Sequence, residues 1–192
     1  PPDQPSRSWR IGFSGRIADP RKNIELLLEA AARLSRKDCP VQVVLMGGGP
    51  TAEQEARWAD LGWNQHVDFL GQLSTNDLRD ALRTLDVFVL PSWQEGLCIA
   101  ALEAMACGVP VVSTRCGGPE EYVLSGVTGF LVERSASEIA DRLERICRDR
   151  SLRMRLGRES RSLVTEQYSI EAQRRVFEAA WAHTFESTAR PA

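Results

Sequence analysis

Residues 87–112 read Val87-Phe88-Val89-Leu90-Pro91-Ser92-Trp93-Gln94-Glu95-Gly96-Leu97-Cys98-Ile99-Ala100-Ala101-Leu102-Glu103-Ala104-Met105-Ala106-Cys107-Gly108-Val109-Pro110-Val111-Val112. The apolar run that ends at Pro91 has the length and composition of a buried strand, Asp86–Leu90. A polar loop follows, and Leu97–Cys107 reads as a helix stopped by Gly108. A second apolar run, Val109–Thr114, returns the chain to the sheet. Strand, helix and strand in so short a span form a parallel unit with a helical crossover.

The same alternation extends in both directions. Arg10–Ser14, Val41–Met46, His66–Leu70 and Gly129–Val132 read as further buried strands. Asn23–Ser35, with its stripe Ile24, Leu27, Leu28, Ala31 and Leu34, reads as a helix. Thr51–Leu61 and Thr75–Leu85 read likewise, the latter capped by Ser74, and Pro119–Leu124 reads as a short helix. The expected fold is α/β: a Rossmann-like, doubly wound parallel sheet of about six strands with helices on both faces. Past Glu133 the strand signal stops, and Ser135–Asp149, Ser151–Glu166 and Ile170–Phe185 form a helical C-terminal tail. The arginine-rich stretch from Arg134 to Arg161 reads as a solvated face.

The chain has 192 residues, 24 basic and 26 acidic, for a formal charge of -2, and is 43% hydrophobic. That composition excludes wholesale disorder. It also lacks the basic excess of a dedicated nucleic-acid binder, and no apolar run reaches the length of a membrane span. The five cysteines, Cys39, Cys98, Cys107, Cys116 and Cys147, show no C-x-x-C spacing, so neither a zinc site nor a disulfide framework is expected. No signal-peptide pattern opens the chain, and the expected compartment is the cytoplasm. The start on Pro1-Pro2 reads as a cut from something longer. Residues 1–8 form a linker arm and residues 9–192 one domain.

Ligands of such sheets sit at the carboxyl ends of the strands. The first strand leads into Gly12-Phe13-Ser14-Gly15-Arg16 and on to Lys22, which is not the G-x-G-x-x-G dinucleotide fingerprint. Gly12 and Gly15 would let the backbone approach a ligand, with Arg16 gripping phosphate oxygens as a fork and Lys22 as a point charge. A tight turn with solvated cations is the competing reading, and spacing does not separate the two. Gly47-Gly48-Gly49-Pro50 and Cys116-Gly117-Gly118-Pro119-Glu120-Glu121 offer two more shaped loops at the same edge, with Glu120 and Glu121 as helix-start acids. Glu95 falls in the loop before a helix and Glu103 two turns inside it. The first-turn amides of Gly96, Leu97 and Cys98 would then make a phosphate site. Glu103, set among Ala and Leu, needs partners: ribose hydroxyls, or an internal ion pair with Arg16 or Lys22.

These residues carry a resemblance. Glu95 and Glu103 form an E-x7-E motif within Ser92–Val112. In order around it stand Gly15-Arg16 with Lys22, Gly47–Pro50, Phe69-Leu70-Gly71, Gly117-Gly118 with Glu121, and Gly126–Val132. Together they resemble the C-terminal, donor-binding half of retaining glycosyltransferases of the GT-B fold (family 4, glycosyl transferases group 1) over residues 10–185. The resemblance implies Glu95 as catalytic, against the transferred sugar. It implies Gly15, Arg16, Lys22, Gly96, Leu97, Cys98 and Glu103 as substrate-binding, the cations on the diphosphate and Glu103 on the ribose. It further implies a UDP-, GDP- or ADP-sugar as donor and no cofactor or metal. The acceptor, a glycan, lipid or small molecule, would be held mainly by an N-terminal domain absent from this chain. Membrane association of the full-length enzyme stays open. The chain departs from the family in its triple glycine and in Asn23, where glycine is common. No Asp-x-Asp metal motif occurs, and cations plus a helix end suit a departing diphosphate. A fragment of this kind is expected to bind donor and, alone, to transfer little. A non-catalytic nucleotide-sugar-binding module and a sugar-nucleotide epimerase of the same fold remain as alternatives.

Overall fold

The apolar runs assemble into one parallel sheet whose strands are β1 (Trp9–Ser14), β2 (Val41–Met46), β3 (Val67–Gly71), β4 (Val87–Leu90), β5 (Val111–Thr114) and β6 (Gly129–Val132). In the computed structural model residues 8–37, 39–61 and 63–188 are described. The linker arm expected over residues 1–8 lies outside them except for Ser8. The strand order is β3-β2-β1-β4-β5-β6, with every neighbouring pair parallel. This is the doubly wound arrangement, and its direction of travel reverses between β1 and β4.

Burial explains why these segments are strands. Every residue of β4 and β5 is buried, as parallel strands covered on both faces must be. β3 departs from expectation. It is an edge strand, and Phe69 and Leu70 remain about two-fifths exposed, at 43% and 41%. An edge strand has one hydrogen-bonded neighbour, so its apolar residues need not be covered.

The helices follow the sheet. α1 (Ile24–Ser35) buries Ile24, Leu27, Leu28, Ala31 and Leu34, the stripe read from the sequence. The segment expected as one helix over Thr51–Leu61 is α2 (Ala52–Trp58), closed by a capping box at Thr51, and then a 3-10 turn. α3 (Trp63–His66) follows, and buried Trp58 and Trp63, with ring centroids 5.4 Å apart, hold the break. α4 (Thr75–Leu82) starts on Ser74, whose hydroxyl accepts from the Asp77 amide. α5 (Ile99–Ala106) connects β4 to β5, and α6 (Ala136–Arg148), α7 (Arg150–Gln167) and α8 (Ile170–Thr188) form the tail. α1 packs on α6, and α5 on α4 and α7. Crossovers of one hand, taken in opposite directions from the switch point, place these two sets on opposite faces.

The last helix stands apart. On α8, Val176, Phe177 and Trp181 are all exposed, with the Phe177 and Trp181 rings stacked at 6.1 Å. No helix among the described residues is long and apolar enough to cross a membrane.

Candidate active site

The carboxyl ends of β1 and β4 meet at the switch point, and the chemistry gathers there. After β1 the chain turns through Arg16 to Asp19. The Asp19 carboxylate caps a 3-10 turn (Pro20–Lys22) by accepting from the Arg21 amide. The Arg21 side chain also bonds it, holding the Asp19 pKa down to about 2. The turn ends on Asn23 in the left-handed region, φ 51, so Lys22 is aimed back over the sheet edge rather than along α1. Asparagine tolerates that backbone through its short polar side chain.

Lys22 reaches the loop after β4. Its Nζ lies 2.7 Å from Glu95 Oε1 and 2.9 Å from Oε2, and Ser92 Oγ donates to Oε1 at 2.6 Å. Both charged side chains are largely buried, with 18% of the lysine and 8% of the glutamate side chain exposed. A pair so placed is strongly positioned, because separating either charge from the other leaves it poorly solvated. The sequence reading placed Lys22 on a diphosphate; in this structure it faces Glu95.

The Glu95 loop is pinned by backbone. The Glu95 amide donates to the Cys116 carbonyl at 2.7 Å and the Gly118 amide to the Glu95 carbonyl at 3.3 Å, a parallel bridge between Glu95 and Gly117. Thr114 Oγ1 donates to the Ser92 carbonyl, and the Trp93 amide to the Arg21 carbonyl. The buried Tyr122 hydroxyl donates to the carbonyls of Leu97 and Cys98 at 2.7 and 3.2 Å. These bonds sharpen one expectation and correct another. Gly117 and Gly118, expected as a shaped loop at this edge, hold the Glu95 loop by backbone bonds. The helix starts at Ile99, not Leu97, because Glu95 is bridged to Gly117, the Leu97 and Cys98 carbonyls accept from the Tyr122 hydroxyl, and Cys98, the N-cap, lies in the left-handed region at φ 55. The first-turn amides are therefore those of Ile99, Ala100 and Ala101. The amides of Gly96, Leu97, Cys98, Ile99 and Ala100 donate to no acceptor among the described residues. The open amides expected at Gly96, Leu97 and Cys98 continue through Ile99 to Ala100. Burial pushes the Cys98 thiol up to about 11, which leaves it inert as a nucleophile.

Gly15 and Gly12 have separate tasks. The Gly15 carbonyl fills the space over Gly47, where a Cβ would lie 2.1 Å from it. Gly12 lies mid-strand and makes room for the Leu85 side chain, so it faces no ligand. Arg16 is open, its side chain 76% exposed, with a 3.5 Å contact to Asp19. Glu103 is half-buried, and its carboxylate makes no hydrogen bond or ion pair among the described residues. Burial raises its pKa. Neither Arg16 nor Lys22 pairs with it, so the ion-pair reading of Glu103 does not hold. It lines a cleft of about 240 Å³ with Asn76, Leu78 and Arg79 of α4. The capping reading of Glu120 does hold: its carboxylate accepts from the Gly117 amide at 3.2 Å.

Sequence reasoning passed over three residues of this site: Ser92, Asp19 and Tyr122. Asp19-Pro20 carried a turn signal that pointed to Asp19. A tyrosine in an apolar segment carries no sign of where its hydroxyl bonds.

A doubly wound parallel sheet with open amides and paired charges at its switch point makes this a Rossmann-like α/β domain, a class whose ligands sit at that edge. The profile of the family "Glycosyl transferases group 1" matches residues 2–163, and the chain belongs to that family. One curated relative, the GDP-mannose-dependent alpha-(1-6)-phosphatidylinositol monomannoside mannosyltransferase of Mycobacterium tuberculosis, is 35% identical over 158 residues, covering 78% of this chain and 41% of that protein. Sucrose-phosphate synthase from Thermosynechococcus elongatus superposes with a TM-score of 0.83 at 28% identity, over 95% of this chain and 47% of that one. The C-terminal domain of a glycosyl transferase group 1 family protein (LpcC) from Francisella tularensis gives 0.73 at 31% identity, over 84% of this chain and 87% of that one. The chain spans less than half the length of the curated relatives it matches.

Proposed function

We propose that the chain is the donor-binding domain of a GT-B glycosyltransferase, residues 9–192 holding a nucleotide-diphosphate sugar for a cytoplasmic enzyme that transfers the glycosyl group with retention. The observation that carries this reading is the Lys22–Glu95 pair set beside five unbonded amides at the switch point. The name of the M. tuberculosis relative, with its GDP-mannose donor, supports the substrate class.

Cleaving a sugar–diphosphate bond places negative charge on the leaving diphosphate. The open amides from Gly96 to Ala100 and the exposed Arg16 guanidinium are donors fixed before the charge develops, which is the efficient arrangement. Phosphate oxygens arriving there compete with Glu95 for Lys22, so donor binding and the freeing of the Glu95 carboxylate are one event. Glu95 is the catalytic residue, its carboxylate against the transferred sugar. Glu103 accepts from ribose hydroxyls. In this reading no metal takes part. The acceptor belongs chiefly to an N-terminal domain outside this chain, and residues 9–192 alone transfer little.

Glu103 gives the test. A carboxyl whose folded pKa is raised above its unfolded value lowers stability as pH rises from the unfolded pKa toward the folded one. Glu103→Gln removes that charge. Its melting temperature at pH 7 is expected to rise by less than the about 2–4 °C that 1 kcal/mol produces in a chain of this size. The gain should vanish near pH 4. The same variant is expected to bind nucleoside diphosphate about 1.5–3 kcal/mol more weakly, the scale of hydrogen bonds to a charged group. Calorimetric titration showing unchanged affinity removes Glu103 from the site. Anomeric analysis of the product made by the longer enzyme tests retention and separates transfer from epimerisation.

A further inference from the structure

The arginine-rich tail, expected as a solvated face, is not uniformly one. Along α7, Arg150, Arg153, Gly157 and Arg161 recur at helical spacing and line a cleft of about 420 Å³ against the Asp86 and Gly108–Pro110 turns. These turns enter β4 and β5, so the cleft sits at the amino edge of the sheet, opposite Glu95. Its floor is bare backbone, since a Cβ on Gly157 would lie 2.1 Å from the Gly108 carbonyl oxygen.

The arginines of the cleft divide into two kinds. Arg153 is committed: its guanidinium lies over the Trp9 ring at 4.7 Å, donates to the Ile146 and Cys147 carbonyls, and stands 3.7 Å from buried Asp86. Arg158 pairs with its neighbour Glu159. Arg150 and Arg161 make no ion pair or hydrogen bond among the described residues and are exposed at the two ends of the cleft. Asp86 is the acid that lines the cleft, and Arg153 and the Arg10 amide already face it. The remaining field is positive, and low-dielectric walls concentrate it.

We infer that this amino-edge cleft binds a phosphate group through Arg150 and Arg161. The planar guanidinium fork fits tetrahedral oxyanions, and two forks facing one cleft can share a dianion. The close approach of the Gly108 and Gly157 backbones closes the floor, so the group sits above it, between the two arginines. The phosphate can belong to a soluble phosphomonoester or to a lipid headgroup.

The test titrates the nitrogen-15-labelled chain with glycerol 3-phosphate. A parallel arm measures sedimentation with phosphatidylcholine vesicles, with and without phosphatidic acid. Saturable shifts at the amides of Gly108, Gly157, Arg158 and Arg161 are expected. The Arg150→Gln/Arg161→Gln variant should raise the dissociation constant about tenfold or more. Both side chains are exposed, so the melting temperature should not change. Sedimentation that requires phosphatidic acid and is lost in the variant assigns the phosphate to lipid; shifts with glycerol 3-phosphate assign it to a soluble ester. Shifts confined to residues 14–22 and 96–100 overturn the inference. So does binding that the variant leaves intact, or no binding in either arm.

Discussion

Gly118→Ala is expected to unseat the Glu95 loop, lowering the unfolding free energy by about 1–3 kcal/mol and abolishing nucleotide binding. A Cβ on Gly118 would lie 1.9 Å from the Gly96 carbonyl oxygen and 2.6 Å from its carbon. Those atoms are backbone, so no rotamer change relieves the clash. The segment that must yield is the one whose amides face the anion site, and it is anchored at Glu95 and Gly118. Gly48→Ala is the matching control, because nothing lies within 4 Å of a Cβ there. Urea unfolding and nucleotide titration of the two variants check the claim. Equal nucleotide affinity in both contradicts the clamp.

Lys22→Met is expected to cost about 3–5 kcal/mol, because it leaves a buried carboxylate without its counter-charge. Glu95 keeps only the Ser92 hydroxyl, and 8% side-chain exposure gives little recourse to water. The double variant Lys22→Met/Glu95→Gln should regain most of that loss, since a neutral amide needs no cation. The coupling energy from the cycle then separates the pair from the packing of the lysine stem. A double variant as unstable as the single one shows that the stem, not the charge, carries the effect. Both variants should lose donor binding, whichever way stability falls.

The fold was readable because its signals repeat. Val41–Met46 and Gly129–Val132 have the same bounds in the sequence reading and in the structure, since each is a short apolar run between turn residues. β3 was misread as buried because composition does not say whether a strand lies at the edge of a sheet. The start of α5 was placed two residues early for a related reason. Leu97 and Cys98 have helix-compatible identities, but the Tyr122 hydroxyl donates to their carbonyls and Gly117 and Gly118 hold Glu95 just before them, and those partners lie about 20 residues or more away in sequence. Glu95 and Glu103 were visible as a spacing. What each touches was not: Lys22 is 73 residues from Glu95, and nothing local selects Glu95 over Glu103 as its partner.

Binding of a nucleoside diphosphate at the carboxyl edge is the claim on which the rest depends. Thermal-shift measurement of the chain with UDP, GDP and ADP, each with EDTA present, tests it most directly. At least one nucleotide is expected to raise the melting temperature, by an increment that grows with its concentration as linkage requires. The chelator should leave that rise unchanged, and Gly118→Ala should remove it. No shift with any of the three, or a shift that appears only when a divalent metal is supplied, contradicts the account.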